Sequence, residues 1–289
     1  MMGSAYDYGV LAKPKVLLAM LLLYASSYFA SVAYSGYSWE VNSFLVGLMA
    51  VAMAVSGANA LNCYLDRDID ALMTRTLGRP LITGTIGPSG ALAFSGALLV
   101  ASSLVALSLG AVPFLLFLEG AGTYLLLYTV LVKRRTSLNV LATAPSVAAP
   151  AWFGWYLGGA QLYPVGMLMG ILVAIWGPIH LWSLAYAYSK DYSRAGVPMY
   201  PSVVSNENAV RSIIAALAVL IASSYTLVPW TETLFYPLVV TLINAPLAVA
   251  GYRFYRSRTN KAGWWIFKLT APQIVVVLLA FMAERLLFA

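Results

Sequence analysis

Nine successive runs of predominantly apolar residues constrain this chain more than any other feature. Each is about 20 residues long, the length at which a helix matches the roughly 30 Å hydrocarbon thickness of a bilayer. The runs are 16–35, 44–65, 89–109, 112–132, 138–157, 164–187, 208–228, 233–252 and 264–287. Their apolar residues are continuous rather than alternating, which favours helices over the strands of a barrel. With 61% hydrophobic and 9% charged residues, the chain lacks the charge that covers a soluble domain, about 25% of residues. The expected fold is an all-α, polytopic membrane bundle of nine transmembrane helices. It forms a single domain over 1–289. Long polar segments after the second and sixth runs, four helices apart, hint at duplicated four-helix units 16–132 and 138–252 followed by a final span 264–287.

Nine spans place alternate loops on opposite sides of the membrane. One side then receives Lys13, Lys15, Arg67, Arg75, Arg79, Lys133, Arg134, Arg135, Lys190, Arg194, Arg211, Arg253, Arg256, Arg258, Lys261 and Lys268, and the other only Arg285. Positive charge accumulates on cytoplasmic loops, so the N-terminus is expected inside, the C-terminus outside, and the polar loops at the cytoplasmic face of the cell membrane. The same distribution excludes nucleic acid as the reason for the net charge of +7, because the bases sit where topology already requires them. Cys63 is the sole cysteine, so no intrachain disulfide forms. No cleavable signal peptide is expected, since the first run is long enough to span and no small-residue cleavage site follows it.

The second span runs into Asn62-Cys-Tyr-Leu-Asp66-Arg-Asp68-Ile-Asp70, then Arg75 and Arg79-Pro80. Asn62, Asp66 and Asp70 are four apart, so a continuing helix stacks them on one face while Asp68 points elsewhere. Like charges at that spacing repel, and a divalent cation removes the repulsion. Mg2+ suits the pattern: it takes oxygen ligands and binds through one or two carboxylates together with substrate phosphates. Arg75 and Arg79 supply bidentate donors for phosphate oxygens. A solvated loop whose charges neutralise one another is the plainer alternative. It fits poorly with three acids in five residues of a chain that has ten in all.

The sixth span ends in Lys190-Asp191-Tyr192-Ser193-Arg194. Asp191 can add a carboxylate across the mouth from Asp66 and Asp70, with Lys190 and Arg194 facing phosphate; otherwise it pairs with Lys190 or Arg194. In the run Lys133-Arg134-Arg135, Lys133 is assigned to diphosphate and the two arginines to anionic lipid. His180, the only histidine, lies inside the sixth span and reads equally as a haem-iron ligand or as a partner in an interhelical hydrogen bond. Glu119 is expected to hydrogen-bond within the bundle.

These residues resemble the UbiA-type intramembrane prenyltransferases, and most closely their protohaem IX farnesyltransferase (haem O synthase) branch. The likeness rests on Lys13-Pro14-Lys15, Asn62 through Leu81, Tyr128 through Asn139, and Lys190 through Pro201. It implies a nine-helix fold and a first metal motif of Asn62, Asp66 and Asp70. Asp191 matches the second motif, and Lys190 belongs to the catalytic set. Farnesyl diphosphate would be the donor, haem b the acceptor, Mg2+ the cofactor, and a haem A synthase or oxidase assembly protein a partner. Quinone-type relatives carry an acidic pair in the second motif, where this chain has Ala195. A further departure is Ala142 through Ala148, where the haem branch carries glycines. A prenyltransferase acting on a quinone precursor or lipid is the nearer alternative. A transporter is the distant one, since its functional charges belong near the midplane.

Overall fold

The computed structural model describes residues 3–160 and 163–288, so positions 161 and 162 of the expected outer connection 158–164 lie outside the described residues. Among the described residues, nine longer helices follow in order: α1 (Pro14–Ser35), α2 (Val41–Leu65), α3 (Pro88–Ser108), α4 (Ala111–Val132), α5 (Ala144–Leu157), α6 (Pro164–Ala187), α7 (Asn206–Ser223), α8 (Phe235–Ser257) and α9 (Asn260–Phe288). No strand occurs among the described residues. The sequence starts these helices in recognisable ways. Proline occupies the first turn of α1, α3 and α6, where its missing N–H is no loss. Ser205 caps α7 by accepting a hydrogen bond from the Asn208 amide.

Eight of these segments are long and apolar enough to cross a bilayer, α7 being extended by turns to Trp230. The chain is thus a multi-pass membrane protein. α5 is the exception: fourteen residues, entered through a 3-10 turn at Asn139–Thr143 and holding Pro150. It lies deep in the bundle, with Ala148, Ala151 and Trp155 fully buried. Gly154 and Gly158 let it approach α1 backbone to backbone. A Cβ at Gly154 would stand 2.2 Å from the Tyr24 carbonyl oxygen, and one at Gly158 2.4 Å from that of Tyr28. This is the small-xxx-small contact by which membrane helices pack without a hydrophobic drive. By contrast, α3 and α4 expose Val100, Leu104, Leu115 and Leu126, as lipid-facing helices do.

The two ends of the bundle differ. At one end lie the start of α1, the C-terminal ends of α2, α4 and α6, and the short helices Arg67–Asp70, Pro80–Thr83, Ser189–Arg194 and Tyr200–Val203. At the other, the buried Glu284 carboxylate of α9 accepts hydrogen bonds from the Glu232, Thr233 and Tyr236 amides and the Thr233 hydroxyl. That contact closes the start of α8 against the end of α9.

Candidate active site

α2 ends at Leu65, and the chain turns through Asp66 into the one-turn helix Arg67–Asp70. The break keeps the expected grouping. Asn62, Asp66 and Asp70 are buried and line one cavity, whereas Asp68 is exposed. The cavity, about 380 Å³, reaches from this polar mouth into the bundle, where its walls become apolar and aromatic: Ala54, Ala58, Phe117, Phe153, Trp176 and Phe267.

Four cations face the same space: Lys13, Arg75, Arg79 and Lys133. Arg79 pairs with Asp70, and Lys133 with Asp66. The Arg75 side chain makes no ion pair among the described residues. Four positive groups against two carboxylates leave the mouth with positive charge to spare, as a diphosphate site requires. Burial pushes the Asp70 carboxyl above the ordinary carboxylate range, against the pull of the Arg79 guanidinium. Burial also works against charge on Lys133, but Tyr128 and Asp66 outweigh it and hold the ammonium above its usual value. The corresponding burial at Lys13 wins and pulls it down.

One carboxylate oxygen is left over. Asp66 Oδ2 is held by Asn62 at 2.7 Å and by Lys133, whereas buried Oδ1 accepts no hydrogen bond and has only the Arg134 guanidinium near it, at 4.0 Å. A desolvated carboxylate oxygen without a hydrogen bond is costly unless a cation meets it at close range, and Arg134 at 4.0 Å stands too far to donate one, so the donor set fits a hard divalent ion. No three His, Cys, Asp or Glu side chains converge to hold a metal among the described residues. Such an ion would therefore complete its shell from water and substrate phosphates, as Mg2+ commonly does.

Asp191 is brought to the same end but not into the cavity. It is buried, accepts from the Thr74 hydroxyl at 2.6 Å and the Arg75 amide at 3.4 Å, and has Arg194 at 3.7 Å. Burial would raise its carboxyl; these hydrogen bonds outweigh it and hold the group below the ordinary value. It thereby fastens the segment that carries Arg75. Lys190 and Arg194 do not line the cavity. Lys190 is exposed beside Ser189, Ser202 and Arg258 in a separate surface pocket.

Two expectations are corrected. Arg134, assigned to lipid, grips Asp68 with both terminal nitrogens at 2.6 and 2.7 Å, because Asp68 projects from the opposite side of the short helix. Glu119, expected to hydrogen-bond, has neither carboxylate oxygen partnered among the described residues.

Two groups lay outside the site as expected from sequence. Lys13 donates to Asn62 Oδ1 at 2.9 Å and to the Tyr124 hydroxyl at 3.4 Å; its signal was a lysine directly before the first apolar run. Tyr124 and Tyr128 stack in the wall, with centroids 6.0 Å apart, and carried the signal of two tyrosines four apart at the inner end of α4.

His180 lines the deep part of the cavity between Trp176 and Phe267, with ring centroids 4.6 and 4.3 Å away. Its Nδ1 lies 2.9 Å from the Thr270 hydroxyl. That hydroxyl is also within hydrogen-bond distance of the Phe267 carbonyl, so Thr270 ties the Nδ1 side of the ring to α9.

A bundle with a deep, apolar-walled cavity and a cation-rich mouth that also carries acids suits an intramembrane transferase of diphosphate-activated groups, and residues 17–272 match the UbiA prenyltransferase family, to which this chain belongs. Two proteins of Pyrobaculum aerophilum named protoheme IX farnesyltransferase 1 and 2 are 37% and 36% identical to it, covering 97% and 96% of this chain and 99% and 98% of their own. In fold it is similar to a UbiA homologue from Archaeoglobus fulgidus, whose structure is bound to GPP and Mg2+. The TM-score is 0.73 at 19% identity, over 96% of this chain and 99% of that one.

Proposed function

We propose that the chain is a haem O synthase, transferring the farnesyl group of farnesyl diphosphate to a vinyl group of haem b. The observation that carries this reading is the arrangement along one cavity: unpaired positive charge and an Asp66 oxygen without a hydrogen bond at the mouth, and a histidine between two aromatic rings below. Arg75, Arg79, Lys133 and Lys13 hold the diphosphate. Asp191 holds the Arg75 segment in place through Thr74 and the Arg75 amide, with Arg194 beside it. Asp66 and Asp70 would hold Mg2+, which when bound neutralises charge growing on the departing diphosphate.

The reaction breaks the allylic C–O bond, and its electron pair leaves with diphosphate. The cations facing that oxygen lower the barrier because they are fixed in a water-poor site. The vinyl electron pair then forms the new C–C bond, and the resulting cation takes up water and releases a proton to leave a hydroxyl. The apolar walls keep stray water from the allylic cation. No nucleophilic side chain takes part.

His180 is assigned to haem iron. The Thr270 hydroxyl on Nδ1 fixes its ring and leaves Nε2 for the iron, the outer-sphere contact that metal-ligating histidines make. The mouth would open at the cytoplasmic face of the cell membrane. Ala195 disfavours the quinone-precursor alternative, whose enzymes carry an acid there.

The test is purified protein with haem b, farnesyl diphosphate and Mg2+, followed by mass analysis of the pigment. Haem gaining one farnesyl and one hydroxyl is expected; recovery of unchanged haem overturns the reading. His180→Ala should weaken haem binding and spare farnesyl diphosphate affinity, and an unaltered haem titration removes the axial assignment.

A further inference from the structure

Asn62 heads the acidic run, yet its amide makes three hydrogen bonds inside the protein, using both N–H groups and one of the two oxygen lone pairs. Lys13 can only donate, so the atom 2.9 Å from its ammonium is Oδ1. Nδ2 then donates to Asp66 Oδ2 at 2.7 Å and to the Thr129 hydroxyl at 3.1 Å. Thr129 passes its own hydrogen to the Tyr124 carbonyl at 2.8 Å, which confirms it as the acceptor. Lys13 reaches Asn62 from a left-handed backbone conformation, φ 55°, immediately before Pro14. That conformation is uncommon for a residue with a side chain. Three separate elements thus converge on one amide.

We infer that Asn62 is a positioning residue and not a ligand of the divalent cation: clamped by Lys13 and Thr129, it holds Asp66 by Oδ2 so that Oδ1 faces the cation. The inference rests on the metal site proposed above. Lys13 acts through Asn62 at one remove from the ion. Its two possible influences have opposite sign. As a nearby positive charge it repels a cation, and as a clamp on Asn62 it favours one. Removing it therefore discriminates between them.

The experiment measures Mn2+ affinity of the detergent-purified full chain by the paramagnetic signal of the free ion, with no diphosphate present. Mn2+ shares the oxygen-ligand preference of Mg2+. Lys13→Met and Asn62→Ala are each expected to weaken binding on the order of 10- to 100-fold, the usual loss when an outer-sphere partner is removed. The double variant should be no weaker than the worse single one, because the two act as a unit. Unchanged or tighter binding in Lys13→Met, beside weak binding in Asn62→Ala, would make Asn62 itself the ligand and overturn the inference. Where Lys13→Met does not yield a monodisperse protein, Thr129→Val carries the test, since it keeps every charge. Loss of affinity supports the clamp, and wild-type affinity refutes it. Mn2+ affinity that is unchanged in Asp66→Asn would remove the metal site and the clamp together, a result distinct from failure of the clamp alone.

Discussion

Three aspartates within five residues do different work because of what surrounds them. Asp66 and Asp70 are buried and held by Lys133 and Arg79. Asp68 is 60% exposed and paired with a half-exposed Arg134. An exposed pair of this kind contributes about 0–1 kcal/mol, so Asp68→Asn should leave turnover and assembly near wild type. Asp66→Asn or Asp70→Asn should lower turnover by at least about a hundredfold, the scale of losing one fixed electrostatic contact in a dry site, while the protein still inserts. Initial rates with haem and farnesyl diphosphate check both; comparable losses in all three variants would discard the division. This division was legible in the sequence, because a spacing of four puts Asp66 and Asp70 on one face and leaves Asp68 off it. The role of Thr74 was not. It holds Asp191 across 117 positions of chain, and a lone threonine in a loop carries no pattern that announces a long-range partner.

At the scale of elements, the inner half of α4 is the segment whose sequence misleads. Tyr124 and Lys133 are nine residues apart, two and a half α-helical turns, which would put them on opposite faces. Yet both line the cavity. The chain achieves this by running as a π-helix from Thr123 to Val132, with the Lys133 amide bonded five residues back to the Tyr128 carbonyl. Such wide turns are rare and concentrate at functional sites. Nothing in the apolar run Leu125-Leu-Leu-Tyr-Thr-Val-Leu-Val132 signals the extra residue, since a π turn and an α turn make equally greasy sequences. A consequence can be tested. Val130 faces outward, and its deletion lets the segment return to α register with Tyr124 and Lys133 eight apart, about 80° from each other. The lysine thus stays on the cavity side. Deletion of Val130 should therefore retain measurable farnesyl transfer. Deletion of the likewise exposed Val100 in the regular helix α3 turns the rest of that helix by about 100° and should abolish it.

For the whole molecule, the two ends of the bundle divide stability from chemistry. Neither Glu284 nor its partners at the start of α8 line the cavity, so Glu284→Ala should lower the detergent unfolding midpoint, read by tryptophan fluorescence, without changing the turnover of the fraction that remains folded. Hydropathy made the spans legible to within a few residues, because a stretch that must lie in lipid can carry almost no charge. Only α5 departs, a short helix whose place is set by Gly154 and Gly158 against α1 rather than by length. The expected orientation rests on a different physical fact, the retention of lysine and arginine on the cytoplasmic side. The exposed loop residue Thr259 joins α8 to α9 at the mouth end, and exposed Ser38 joins α1 to α2 at the other. With buried Cys63 replaced by serine, Ser38→Cys and Thr259→Cys provide single reporters on opposite faces. In intact cells a membrane-impermeant maleimide should label Ser38→Cys alone, and Thr259→Cys should react only after the membrane is opened. Labelling of Thr259→Cys in intact cells would place the diphosphate mouth outside. The reading would then require farnesyl diphosphate and haem to be delivered from that side, and the clustering of sixteen of the seventeen basic residues would need a cause other than topology.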